Sequence, residues 1–251
     1  MMKSISIFVA LMALLFADIA LAAGAVATSV TGTVTVQTGT AAARPLRQGD
    51  TVSQGDTVVT AASSSAVLRF DDGEITALTA NSRLAVTAYQ YNPTNNAGNV
   101  FLSLLSGGMR AITGLIGRSS PNNVAYRAAT ATIGIRGTTV DVVTGDNDVA
   151  VSVVEGSITF SDGKGNTYTV SAGEAVFSDR TGKITRSSAA AILGNLPPAL
   201  RDAFSNLKAL EVAINMSNAN AGAGESKTVG TTTITSTGTG SSTGGGGASV
   251  Q

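Results

Sequence analysis

The stretch Leu104–Thr144 reads LLSGGMRAITGLIGRSSPNNVAYRAATATIGIRGTTVDVVT, and its reading decides the fold. Glycine and β-branched residues dominate it, the composition of bent strands rather than of helices. Arg110, Arg118, Arg127 and Arg136 punctuate it, and with Arg83 they are the only charged side chains between Ile75 and Val140. Acid-bearing segments lie on both sides, so this is the basic middle of a β domain.

Outward from that centre the pattern stays β. Thr31–Val36 alternates with period two, as a half-buried strand does. Gly49-Asp50-Thr51-Val52 recurs six residues later as Gly55-Asp56-Thr57-Val58, alternating turn signals with short strands. Ser65–Phe70, Asp71–Glu74 and Ile75–Leu78 make a strand, a turn and a strand, which predicts a hairpin. Asp162–Asn166 predicts another. Val30–Val36 also resembles Val154–Phe160, and a Gly-[Asp/Glu]-x-Val follows each central glycine by seventeen residues, at Gly49 and Gly173. The two ends of the β region therefore read as copies of one hairpin. The expected fold is all-β over residues 24–186, a roll or barrel-like stack of short antiparallel strands.

The flanks differ. Residues 1–22 carry Lys3, an apolar run from Ile5 to Ala17 and the small-residue end Ala20-Leu21-Ala22, the pattern of a secretory signal peptide cleaved near Ala22 or Ala23. The run is short for a membrane span, so membrane contact is expected only through this segment were it left uncleaved. Over residues 195–216, Leu196, Leu200, Phe204, Leu207, Leu210 and Ile214 recur every three or four residues. That predicts one amphipathic helix, with Asn195 as its cap and prolines in its first turn. Residues 217–251 are rich in Gly, Ser and Thr and read as a disordered tail.

Composition narrows the chemistry. The 251 residues include no Cys and no His, which removes disulfides, thiolate chemistry, the commonest general base and the favourite transition-metal ligand. A formal net charge of zero argues against global attraction to nucleic acid. The expectation is a non-enzymatic protein without cofactor or metal. A hydrolase built on the carboxylates of the Asp71–Glu74 turn is the weakest alternative. Gly107-Gly108 to Gly114 lacks the Lys-Ser/Thr ending of a phosphate loop, and Gly134–Gly137 lacks the helices of an RNA-binding GxxG loop. Asp71–Glu74 and Asp146–Asp148 read as turns rather than Ca²⁺ loops.

Several segments in order carry a resemblance. They are Gly49–Val58, Thr60–Gly73, Asn81–Leu84, Leu104–Arg110 and Thr130–Thr138, and together they resemble the FecR domain family over about Gly32–Gly173. The resemblance implies an all-β periplasmic module that senses or binds a partner. In the founding type it relays ferric-siderophore receptor occupancy to an extracytoplasmic sigma factor through a cytoplasmic arm. Here the FecR-like part follows the signal segment almost at once, so an exported binding module is expected rather than a direct anti-sigma factor. Its setting would be periplasmic or secreted, in envelope signalling with a link to iron-uptake sensing. Its partner would be an outer-membrane receptor or an inner-membrane regulator. The alternative is a secreted structural or adhesive protein.

Arg110, Arg118, Arg127 and Arg136 are the candidate partner-binding residues. If several share a face with Arg83, the patch attracts carboxylates, phosphates or an acidic protein. If instead each pairs with Asp50, Asp56, Asp71, Asp72 or Asp141, the arginines are structural.

Overall fold

A computed structural model describes residues 24–211 and 213–216. The signal segment and the Gly/Ser/Thr-rich tail lie outside the described residues. The strands in chain order are β1 (Gly24–Thr31), β2 (Val34–Thr38), β3 (Arg44–Pro45), β4 (Thr51–Ser53), β5 (Asp56–Thr60), β6 (Ser65–Phe70), β7 (Ile75–Leu78) and β8 (Arg83–Asn92). After these come β9 (Ala97–Ile112), β10 (Val124–Ala128), β11 (Ala131–Gly145), β12 (Asp148–Ser161), β13 (Thr167–Ser171), β14 (Glu174–Ser178) and β15 (Ile184–Ser188). The helices are α1 (Leu115–Ser119) between β9 and β10, and α2 (Ala189–Gly194) and α3 (Pro198–Ala209) after β15, with residues 213–216 also helical.

All fifteen strands belong to one hydrogen-bonded sheet, which divides into two runs. In the first the order is β4-β1-β6-β7-β9-β11-β12-β14-β15, and in the second β3-β2-β5-β8-β9-β10-β11-β12-β13. The long strands β9, β11 and β12 serve both runs with different halves. The N-terminal half of β9 pairs with β8 and β10, and its C-terminal half with β7 and β11.

Glycine makes these crossings. Gly107 in β9, Gly137 in β11 and Gly156 in β12 all have positive φ, as does Gly32 between β1 and β2. At Gly107 a Cβ would sit 2.5 Å from the Ser82 Cα, and at Gly156 it would sit 2.4 Å from the Gly137 carbonyl oxygen. Both corners are too tight for a side chain, so glycine there is a steric requirement. Gly32 and Gly156, the centres of the sequence echo, thus occupy equivalent places where the chain passes between runs.

The two runs share one core. Leu68, Phe70, Met109 and Val142 of the first pack in the same cluster as Leu84, Leu102, Tyr126 and Phe160 of the second. The Phe70 and Tyr89 rings lie 4.9 Å apart across it. The sheet is open, with β4, β15, β3 and β13 at its ends, rather than closed as a barrel. Its strands are not uniformly short or antiparallel either. β9 spans 16 residues, and β9 and β10 pair in parallel. The parallel pair arises because the chain returns through the far half of β9, α1 and a 3₁₀ turn at Pro121–Asn123, long enough for a crossover. That helical insertion falls inside the stretch that composition assigns to strand.

The outer face of the first run is covered by the C-terminal helices. Val143, Ala150 and Ala175 pack against Ile192, Leu196, Leu200, Phe204 and Leu207, and Val67, Ile75 and Ala77 pack against Ile214. Strands buried on both sides explain why residues 140–144 and 148–153 are buried without alternation. The helical region starts earlier than its apolar spacing indicates and is broken in two. Ser188 caps α2, its Oγ accepting from the Ala191 N–H. Asn195 closes α2 instead of opening the next helix, donating its N–H to the Ile192 carbonyl and its Nδ2 to that of Ala191. Pro197 and Pro198, which cannot continue a helix ladder, then start α3 afresh.

Candidate functional site: an arginine-bearing sheet face

Among the described residues nothing covers the outer face of the second run, and strand register shows what that face presents. On β9 the side chains of Leu102 and Leu104 enter the core, so Phe101, Ser103 and Leu105 point outward. Ala88 of β8 and Ala125 of β10 flank Phe101, while Ala85 and Arg127 flank Ser103. Arg83 lies opposite Ser106, beside Leu105. Farther out, Arg127 faces Thr132 of β11, and Thr132 faces Ser161 of β12. Arg136 ends the same outward row of β11 that begins with Thr132 and Gly134.

Small and hydroxyl-bearing residues therefore form a flat surface from which three arginines and two apolar side chains rise. Phe101 is 37% exposed and Leu105 is 55% exposed. The outward positions of β2, β5, β8, β9, β10, β11, β12 and β13 in this run include no carboxylate. Glu155, at the β12 corner, and Glu174, whose Oε2 accepts from the Ser171 N–H, stand at the rim.

Of the candidate arginines, the structure separates one from the rest. Arg110 lies on the opposite, helix-covered face, where its Nε and Nη2 donate to the two Asp141 oxygens at 2.6 and 2.8 Å. Both side chains are at most 10% exposed. Donation to Asp141 holds the Arg110 guanidinium above the usual arginine range. This is the structural pairing, and it removes Arg110 from any surface patch. Arg83, Arg118, Arg127 and Arg136 make no ion pair among the described residues. Arg118 of α1 and Arg136 instead meet across an open cleft of about 460 Å³ lined also by Gly117, Pro121, Asn122 and Gly137. Two cations converge there without a carboxylate.

Under α1 sit two acids whose burial sequence patterns missed. Asp72 and Glu74 belong to a hairpin turn yet are buried, at 1% and 0% exposure. The reason is α1, which packs over the turn. Asp72 Oδ2 accepts from the Ile116 N–H, its carbonyl accepts from the Leu115 N–H, and its own N–H donates to the Tyr89 hydroxyl. Gly114 permits the approach, since a Cβ there would lie 2.3 Å from Asp72 Oδ2. Glu74 is held by Thr76, whose hydroxyl donates at 3.4 Å, while its Oε2 and the Tyr126 hydroxyl interact only beyond close hydrogen-bond distance. Burial, reinforced by the Asp72 charge, pushes the Glu74 carboxyl well above its ordinary range, and burial raises Asp72 as well. These acids are shielded from solvent, which argues against the hydrolase reading. No signal near the turn could have revealed their burial, because the helix that covers it contacts Asp72 from 44 residues away.

A second concavity, of about 440 Å³, lies where α3 meets the β11–β12 turn. Val143 and Leu200 line it, with Asp146, Asp202 and Arg180 of mixed sign around them.

The family model that matches this chain is FecR protein, over residues 56–159. That span runs from β5 to the second half of β12 and contains the whole arginine-bearing centre. No curated protein matches the chain. Two crystal structures of a candidate anti-sigma factor from Parabacteroides distasonis share 14% and 15% identity with it, each at a TM-score of 0.43. Each comparison covers 53% of this chain and 59% of the other, so the likeness spans less than two thirds of those proteins.

Proposed function

The chain carries a FecR domain at residues 56–159, and on that premise we propose that it is an exported, non-enzymatic binding module of envelope signalling. Its working surface is the bare face of the second run with the adjoining Arg118–Arg136 cleft. The observation that carries this reading is the set of unpaired arginines on a face without carboxylates. Folding gains nothing from keeping four guanidinium groups without an ion pair among the described residues of a neutral protein. Guanidinium groups suit bidentate capture of carboxylates, and a one-signed surface steers an acidic partner to it.

The proposed setting is the periplasm, reached through the signal segment, with an outer-membrane receptor or an inner-membrane regulator as partner. Ferric-siderophore sensing, the family's founding context, is the signalling route this module would serve. The test is in-cell crosslinking of the tagged mature protein in its host, with mass spectrometry of what it captures. Capture of an envelope receptor or regulator, lost in the folded Arg118→Glu/Arg136→Glu variant, is the expected result. Only self-crosslinks or surface polymers, or capture unaffected by charge reversal, would contradict the reading and favour a structural or adhesive role.

A further inference from the structure

Among the described residues the two runs of the sheet have different outer faces: one is covered by this chain's own helices, the other is bare. On the covered run, Leu200, Phe204 and Leu207 of α3 lay an apolar stripe over Val143 and its neighbours. On the bare run, Phe101 and Leu105 supply an exposed apolar pair along β9, with Ser103 between them and alanines beside it. Arg83 and Arg127 stand on opposite sides of that pair, one on β8 and one on β10.

We propose that this strip along β9 receives an acidic amphipathic helix of the partner protein, with its apolar stripe on Phe101 and Leu105 and its acids on Arg83 and Arg127. The inference rests on the binding-module reading and specifies the occupant of its surface. Spacing and charge select that occupant. Phe101 and Leu105 are four strand residues apart, about 13 Å at about 3.3 Å each, which an α-helix spans in about nine residues. Apolar residues at i, i+4 and i+8 would therefore meet Phe101, Ser103 and Leu105 in turn. β8 and β10 lie about 10 Å apart across β9, close to the diameter of one helix, so acids on both flanks of the stripe reach an arginine each. Arg83 sits opposite Ser106 and Arg127 opposite Ser103, so those acids are offset along the helix by about 10 Å, or roughly seven residues. An aromatic and an aliphatic anchor ringed by arginines and small residues is the composition expected at the centre of an interface.

The test places a photo-crosslinking amino acid at position 101 or 105 of the full chain in its host and sequences the crosslinked peptide. The same crosslinker at Thr169, on this face but away from the strip, is the control. The expected peptide comes from an envelope protein, has apolar residues at i, i+4 and i+8, and carries acids on both flanks. Its yield falls about tenfold in folded Arg83→Glu and Arg127→Glu variants and is low from position 169. Crosslinks to anionic lipid, to a second copy of this chain, or to an extended or basic segment overturn the proposal. So does the absence of any crosslink from 101 and 105. If the Arg118/Arg136-dependent capture persists in that case, only the helix is refuted, and if that capture is also absent, the binding-module reading falls with it.

Discussion

Arg110→Met should be among the most damaging single changes in the chain, although it removes one arginine of a cluster that otherwise faces solvent. Arg110 and Asp141 are 10% and 8% exposed and are joined by two charge-assisted hydrogen bonds. Removing the guanidinium strands the buried Asp141 carboxylate without its partner, which costs about 3–5 kcal/mol for a buried pair. In a domain of this size each kcal/mol moves Tm by about 2–4 °C, so a fall of roughly 6–20 °C is expected. Arg110→Met/Asp141→Leu removes both charges and leaves apolar surface against the helices, so it should lie within about 2 kcal/mol of the parent. Urea unfolding of the parent, both single variants and the double variant closes a cycle that isolates the coupling. A single-variant cost below about 1 kcal/mol, or a double variant as damaged as the two singles summed, would refute the buried-pair reasoning. The same double variant, if folded, should capture partners as the parent does.

Three further predictions concern the architecture around the site. Glu74 has a folded pKa raised by burial above its unfolded value, so the folded state holds that proton more tightly. Stability should be greatest below the ordinary carboxyl range and decline as pH rises through the raised value. Urea midpoints from about pH 4 to 8 should show this slope, and Glu74→Gln should flatten it; Asp72, shifted the same way, accounts for what remains. Gly107→Ala places a methyl against Ser82 at a φ of +83° and should cost at least about 1–3 kcal/mol, measured by thermal melting; a neutral result would argue against the corner. Phe204→Ala should destabilise by about 3–5 kcal/mol and raise binding of a hydrophobic dye, since α3 is anchored over the first run by this ring. No change in either would mean that α3 is not part of the folded unit.

The strands and most turns were legible because their signals are local. Period-two alternation gives the buried faces of β2 and β8, and the Asp71–Glu74 and Asp162–Asn166 turns join strands that pair in register. What composition could not show was which strands bend. Gly107, Gly137 and Gly156 look like turn glycines, and only long-range pairing reveals that each carries one continuous strand from one run to the other. The buried state of Asp72 and Glu74 depends on α1, which is distant in sequence, so nothing near the turn announced it. The arginine cluster was visible as a run without acids, but pairing is a three-dimensional property. Asp141 is the first acid after that run, and its register with Arg110 across β9 and β11 removes one candidate and leaves the others free.

The central claim is that the bare, arginine-bearing face binds the partner while the buried arginine only supports the fold. The most direct measurement compares in-host capture by two folded variants, Arg118→Glu/Arg127→Glu and Arg110→Met/Asp141→Leu, against the parent at matched protein levels. The prediction is a loss of capture of about tenfold or more in the first and parental capture in the second. Equal capture by all three proteins, or loss only in the second, would contradict it.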